Sequence, residues 1–331
     1  MVRLTGNDPS LLRRINSAVV LQALRDALPR PQSLTELASA TGLSRPTIEG
    51  VIEGLADTGL VVEVAHEPGD VRRQGRPARR FRFRAEAGHL LGAEIGTHRV
   101  HAMVADLTGR TLGTLTREVD EAAPAEERLG RLRSTVTELL DGCGLEPDSL
   151  RAVGVGSPGI VEKDGTVRLC TALPGWTGLP LGELLGRSFH CPVFVENDAN
   201  AAAIAEHWTG AARGTDDLVF VLAGLSPGAG SLIGGRVHRG FGGAAGEIGA
   251  LHLLGHEASP ELLLSTTGKP LAPLDEAAVA RVFRLAREGD RVAKEAMDRF
   301  IRRLVHDVAA LVLAIDPEIV VVGGWAAGLD D

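Results

Sequence analysis

Apolar residues recur along the first sixty positions with a helical period. Between Leu11 and Leu28 the residues Ile15, Val19, Leu21, Leu24 and Leu28 are apolar, which predicts a first helix ended by Pro29 and Pro31. Leu34, Leu37 and Ala38 share one face of a second, short helix. Ile48, Val51, Ile52 and Leu55 share a face of a third. Between these two, Thr41-Gly42-Leu43 reads as a tight turn, with Gly42 suited to a left-handed backbone. Ser44 suits the cap of the third helix, and Pro46 falls in its first turn, where no backbone donor is lost. The rhythm then switches to alternation. Gly59 to Val64 and Arg80 to Arg84 read as strands on either side of a polar turn from Glu67 to Gly75. Three helices and a hairpin make an α+β winged helix-turn-helix, assigned to residues 1–84.

From Leu90 onward, glycine-rich turns separate apolar strands. His89 to Asp106 and then Thr111 to Val119 read as an opening hairpin, followed by a helix from about Pro124 to Leu140. Val153 to Gly156, Val193 to Val195, Leu218 to Leu222, Ser231 to Val237 and Ile319 to Gly324 read as further strands. Asp198 to Trp208, Glu276 to Arg287 and Asp290 to Leu313 read as helices. This alternation predicts a second, α/β domain over residues 85–331.

Charge sharpens the division. Of the 331 residues, the first 84 hold 13 Lys/Arg against 9 Asp/Glu, whereas the remainder holds 22 against 34. A basic head on an acidic body fits a protein that touches nucleic acid at one end. Arg72, Arg73, Arg76, Arg79, Arg80, Arg82 and Arg84 cluster in the predicted wing. There they alternate with Phe81 and Phe83, so that one face packs and the other faces phosphate. Arg45, Thr47 and Glu49, behind the cap Ser44, stand where a recognition helix meets base edges. The candidate DNA-binding residues are therefore Ser44, Arg45, Thr47, Glu49, Arg72, Arg73, Arg76 and Arg79, and the expected partner is a double-stranded DNA operator. Cys143, Cys170 and Cys191 form no CxxC pair or disulfide framework. No apolar run reaches membrane-spanning length, and Met1-Val2-Arg3-Leu4 begins no signal peptide. A cytoplasmic protein without membrane contact is expected.

Four further motifs occur in a fixed order: Gly156-Ser157-Pro158-Gly159, Leu173-Pro174-Gly175-Trp176, Glu196-Asn197-Asp198-Ala199-Asn200 and Gly246-Glu247-Ile248-Gly249. In order and spacing they resemble the ROK family (repressor, open reading frame, kinase), and Ile319 to Gly324 is similar to its adenosine-side glycine motif. The resemblance covers essentially the whole chain, including the reader typical of the repressor branch. It implies an actin-like, ribonuclease-H-like fold of two α/β lobes. In the family's kinases the residue matching Asp198 is the base that takes the sugar hydroxyl proton. The resemblance also implies sugar contacts at Glu247 and Glu261. Asn197 offers both a donor and an acceptor to a diol, or serves as a helix cap. Asn197, Asp198, Glu247 and Glu261 are the candidate ligand residues.

The departures from the family pattern bear on catalysis. The first phosphate loop, Asp-x-Gly-Gly-Thr in the family, is Glu94-Ile95-Gly96-Thr97-His98 here. The second is Gly224-Leu225-Ser226-Pro227-Gly228-Ala229-Gly230, in which Leu225 removes a hydroxyl and Pro227 an amide donor. Phosphoryl transfer depends on positioning and charge neutralisation, so this damage argues against a kinase. Ala250 replaces a family histidine, and the family's cysteine run is missing. His252 and His256 alone do not close a zinc site, so no metal and no cofactor are expected. Ala172 replaces a sugar-contacting asparagine. The chain stops at Asp331, just after Gly323-Gly324-Trp325, where family members continue with helices that complete the nucleotide side. The expected function is a DNA-binding transcriptional regulator, a repressor. Its kinase-like domain would sense a sugar or sugar-derived effector and assemble a homodimer or homotetramer. The alternative is an active ATP-dependent sugar kinase with an appended DNA-binding head, in which Asp198 would be catalytic.

Overall fold

In a computed structural model, residues 9–65, 78–223, 227–249, 259–272 and 275–324 are described. The chain divides into two units. One comprises Met1–Leu91, Met103–Gly113 and Gly142–Arg151; the other comprises Gly92–Ala102, Thr114–Asp141 and Ala152–Asp331.

The first unit opens with α1 (Pro9–Asp26), which ends before both prolines. The two-residue strand β1 (Gln32–Ser33) leads into α2 (Leu34–Thr41). Ser33 caps α2 in a reciprocal arrangement: its hydroxyl accepts from Glu36 N at 3.2 Å, and its own N–H donates to the Glu36 carboxylate at 2.7 Å. Those contacts, the backbone N–H of Ser33 foremost, hold the Glu36 carboxyl below its ordinary range. Gly42 closes the helix in the left-handed conformation, φ 71°. Helix α3 (Arg45–Asp57) follows, capped by Ser44. Strands β2 (Val61–Val64) and β3 (Arg80–Phe83) complete a three-stranded sheet of order β1-β3-β2. Leu24, Leu37, Ile48, Ile52, Phe81 and Phe83 form one core, against which the predicted apolar faces of α2 and α3 pack. The first helix departs from its prediction: Leu24 is buried and Leu21 and Leu28 are half-buried, but Ile15 and Val19 are exposed.

A five-stranded sheet runs β10-β7-β4-β5-β6. Its strands are β4 (His89–Ile95), β5 (Arg99–Asp106), β6 (Thr111–Glu118), β7 (Leu150–Ser157) and β10 (Val193–Asn197). The expected single strand from His89 to Asp106 is two strands. The Gly96–His98 turn separates them, with Gly96 N donating to Arg99 O at 2.9 Å. Helix α4 (Ala125–Cys143) follows β6. The small hairpin β8 (Ile160–Val161) and β9 (Val167–Leu169), and helix α5 (Leu181–Gly186), lie between β7 and β10.

A four-stranded sheet runs β13-β12-β11-β14, comprising β11 (Leu218–Leu222), β12 (Gly228–Ile233), β13 (Arg236–Val237) and β14 (Ile319–Gly323). Along β11 the side chains alternate between two cores. Leu218 and Phe220 pack with Ala203 of α6 (Asp198–Thr209), whereas Val219 and Val221 pack with Leu304, Val308 and Leu311 of a later helix, α9 (Arg291–Ile315). The expected strand Ser231 to Val237 is instead a hairpin, because Gly234 (φ 57°) and Gly235 (φ 70°) form a two-residue turn. Helices α7 (Pro260–Leu263) and α8 (Glu276–Arg287) join α9 around Leu264, Val279 and Phe283.

Candidate functional site

Helix α3 is exposed where the sequence places its chemistry. Arg45 and Glu49 face solvent, and Thr47 is half-buried. The Ser44 and Thr47 hydroxyls bond one another at 2.8 Å, and Ser44 Oγ also accepts from Thr47 N at 3.4 Å. These two residues therefore fix the start of the helix, and Arg45 and Glu49 project from it.

Phe81 and Phe83 of the wing are buried as predicted, and the arginines around them also make contacts within the domain. Arg80 donates to Pro31 O at 3.0 Å and pairs with Glu36 at 3.4 Å. Arg82 pairs with Glu86 at 3.4 Å, and Arg84 donates to Gly59 O at 3.4 Å. Arg79 lies over the Phe81 ring, 5.2 Å from its centroid, and grips Glu63 through both Nε (3.0 Å) and Nη2 (2.8 Å). Glu49 and Glu53 of α3 also act on Arg79, which places it within the field of the recognition helix. Arg72, Arg73 and Arg76 lie outside the described residues.

The second site is assembled in the other unit. Strands β10 and β7 pair in parallel with Asn197 opposite Ser157, so the ends of two motifs meet. Asn197 caps α6, its Oδ1 accepting from Asn200 N at 3.1 Å. Its Nδ2 donates to Gly159 O at 3.1 Å, tying the cap to the Ser157–Gly159 turn. The amide keeps one N–H and one lone pair for a ligand. Glu196 is spent on structure: it accepts from Asn200 Nδ2 at 3.0 Å and from Arg239 Nε at 2.8 Å. Trp176 is fully buried and donates to Ser157 Oγ at 2.9 Å, so the Leu-Pro-Gly-Trp motif anchors the same turn.

Asp198 begins α6. Burial pushes its carboxyl up from 3.8 to about 6, and the neighbouring Glu247 and Glu94 carboxylates add to the rise. The hydrogen bond from Ala199 N, 2.8 Å, opposes this and loses. Burial also raises Glu247. Glu247 is held by its glycine neighbours. Gly246 has φ 88°, and a Cβ there would lie 1.8 Å from Ala229 O. Ile248 enters the core beside Val219 and Val221. The motif thus pins its ends and leaves the glutamate between them. Cys170, buried and pushed up chiefly by desolvation, also feels both Asp198 and Glu247. The sequence reading missed Cys170 as a member of this group. Its one signal was its position three residues before Leu173-Pro174-Gly175-Trp176.

The remaining candidates are placed as follows. Glu261 stands in the first turn of α7, its carbonyl accepting from Leu271 N at 3.2 Å. In the first loop, the carbonyls of Gly96 and Thr97 accept from the fully buried Arg128 at 2.6 and 2.9 Å. In the second, Gly224, Leu225 and Ser226 lie outside the described residues, while Gly228 to Gly230 belong to β12. A Cβ on Gly230 would lie 2.2 Å from Ala199 O, so α6 packing alone demands that glycine. Ala250, His252 and His256 also lie outside. Among the described residues no group of three or more His, Cys, Asp or Glu is placed to hold a metal ion. No described helix is long and apolar enough to cross a membrane.

A winged helix-turn-helix followed by a sugar-kinase-like α/β fold with a carboxylate cluster defines a DNA-binding transcriptional regulator. The chain belongs to the ROK family, which residues 90–328 match, and residues 16–65 match the IclR helix-turn-helix domain. It is 27% identical to a xylose repressor of Caldicellulosiruptor bescii, over 96% of this chain and 85% of that protein. It is 29% identical to the glucokinase of Thermotoga maritima, over 71% of this chain and 81% of that one. A solved ROK family transcriptional regulator, a homologue of the Escherichia coli MLC protein, shares its fold. The TM-score is 0.72 at 22% identity, covering 95% of this chain and 83% of that chain. The repressor aligns with nearly the whole chain, reader included, whereas the glucokinase aligns with a smaller share.

Proposed function

We propose that this chain is a cytoplasmic transcriptional repressor whose Asp198–Glu247 cluster receives a sugar effector. Residues 1–84 act as the reader and 85–331 as the sensor, in a homodimer or homotetramer that meets paired half-sites. The observation that carries the reading is the desolvated pair of carboxylates beside the half-used Asn197 amide, in a chain that also presents α3. Buried carboxylates that repel one another gain from hydroxyl donors, and a sugar supplies several. Arg45 and Glu49 read bases, Ser44 and Thr47 set the helix start, and Arg79 holds phosphate together with Arg72, Arg73 and Arg76. The effector binds one conformation better than another and so shifts DNA affinity.

In this reading the phosphate loops do not cradle ATP. The first turns two carbonyls toward Arg128, and the second carries Leu225 and Pro227. The named relatives make xylose and glucose the first effectors to test. Xylose or glucose should weaken DNA binding by the full chain, and Asp198→Asn should abolish the response. A second reading, sugar kinase, is favoured by one feature: burial pushes the Asp198 carboxyl up to about 6, toward the range of a general base. ATP-dependent sugar phosphorylation lost in Asp198→Asn would establish it instead.

A further inference from the structure

The surface of the first unit holds an open cavity of about 580 Å³ that none of the chemistry above uses. Its walls include Leu21 and Arg25 of α1, Leu60 beyond α3, and Phe83 of β3. Two residues from later segments of the same unit, Leu107 and Arg151, complete them. The volume falls within the range of small-molecule sites, roughly 300–1,000 Å³. The lining is lopsided: four aliphatic side chains and one aromatic ring, the neutral polar Gln22 and Thr58, two guanidinium groups and no carboxylate.

Both cations have reason to be there. The stem of Arg151 lies across Gly88, where an added Cβ would stand 2.5 Å from its Cγ. Its Nη2 donates to Ala87 O at 3.0 Å, which leaves Nε and Nη1 for a ligand. Arg25 is exposed and forms no ion pair among the described residues. Leu107 is fixed by its N–H, which donates to Ala85 O at 3.1 Å. An apolar hollow flanked by two uncompensated arginines is complementary to one kind of molecule, an apolar body ending in an anion.

We propose that this cavity is a ligand site for a small organic anion with an apolar body, such as a medium-chain carboxylate. The site is separate from the Asp198 cluster, and the inference does not rest on the sugar reading. Occupancy joins α1, the segment after α3 and β3 to Leu107 and Arg151, and so acts on the unit that carries the recognition helix.

The test uses the purified full chain, with octanoate displacing 8-anilinonaphthalene-1-sulfonate followed by fluorescence. Octanoate should displace the dye at one saturable site. The pair Arg25→Gln and Arg151→Gln should weaken octanoate on the order of tenfold or more, the scale of lost charge-assisted hydrogen bonds. Octanol, the same body without the charge, should bind the wild type and the double variant alike. Ala18→Trp, which fills the cavity from α1 and leaves both arginines in place, should abolish displacement. It also provides the test if the double variant fails to fold. Octanoate binding that survives Ala18→Trp, that is equal in wild type and a folded double variant, or that is absent in the wild type would overturn the proposal.

Discussion

Helix α3 carries its own determinants: Ser44 caps it, Pro46 starts it, and Ile48, Val51, Ile52 and Leu55 bury one face while Arg45 and Glu49 stay in water. The carboxylate cluster has no such autonomy. Glu94, Cys170, Asp198 and Glu247 arrive from four distant segments, and their mutual effects are unfavourable. Burial raises Asp198 and Glu247, and the helix N-terminus does not compensate. The reader is finished before it meets DNA. The cluster is electrostatically unfinished until a proton or a ligand completes it. On the function proposed above, that difference matches a constant reader and a responsive sensor.

The comparison breaks most severely at Gly246. Any side chain there meets Ala229 O and is strained by φ 88°, so Gly246→Val should cost more than about 4 kcal/mol. Thermal unfolding followed by circular dichroism should show the loss, and a wild-type transition would mean that Glu247 is not held as described.

Asp198 sharpens the contrast next. Its folded value, about 6, lies above its ordinary 3.8, so the folded state binds the proton more tightly. Stability therefore falls as pH rises from about 4 to about 6, by at most about 3 kcal/mol. Urea unfolding of Asp198→Asn should flatten this slope, and an unchanged slope would remove Asp198 as its cause. A sugar that donates to the ionised carboxylate should bind more tightly above pH 6 than below.

On the reader, Arg45→Ala should weaken selective DNA binding by about 1–3 kcal/mol and leave unfolding unchanged, as read by fluorescence anisotropy. Equal losses on specific and random DNA would show that Arg45 meets phosphate rather than bases. The smallest effect should come from Arg79→Gln, which removes an exposed cation paired with Glu63. The logarithmic salt dependence of DNA binding should become shallower by about one. An unaltered slope would mean that Arg79 makes no phosphate contact.

Legibility in the sequence follows the same division. Helix α3, its cap and the Gly42 turn were readable because every determinant lies within a few residues. Strand β11 and helix α8 also match their apolar runs end to end. The Gly234-Gly235 turn escaped because apolar residues flank it closely enough to read as one strand. The intramolecular contacts of Arg80 and Arg84 could not be read locally, because their partners Pro31, Glu36 and Gly59 lie 25 to 49 residues away. The ligand candidates came from motif resemblance. The company of Asp198 with Cys170 is set by folding, which brings β9 and its following turn to the start of α6, and no local pattern announces it.

The most direct test is a titration of the full chain against genomic DNA fragments across a salt series, repeated with xylose, glucose and other sugars, for wild type and Asp198→Asn. The account predicts saturable, sequence-selective binding that at least one sugar weakens in the wild type and leaves unchanged in the variant. No selective binding at physiological salt, or ATP-dependent phosphorylation of the sugar by the same preparation, would contradict it.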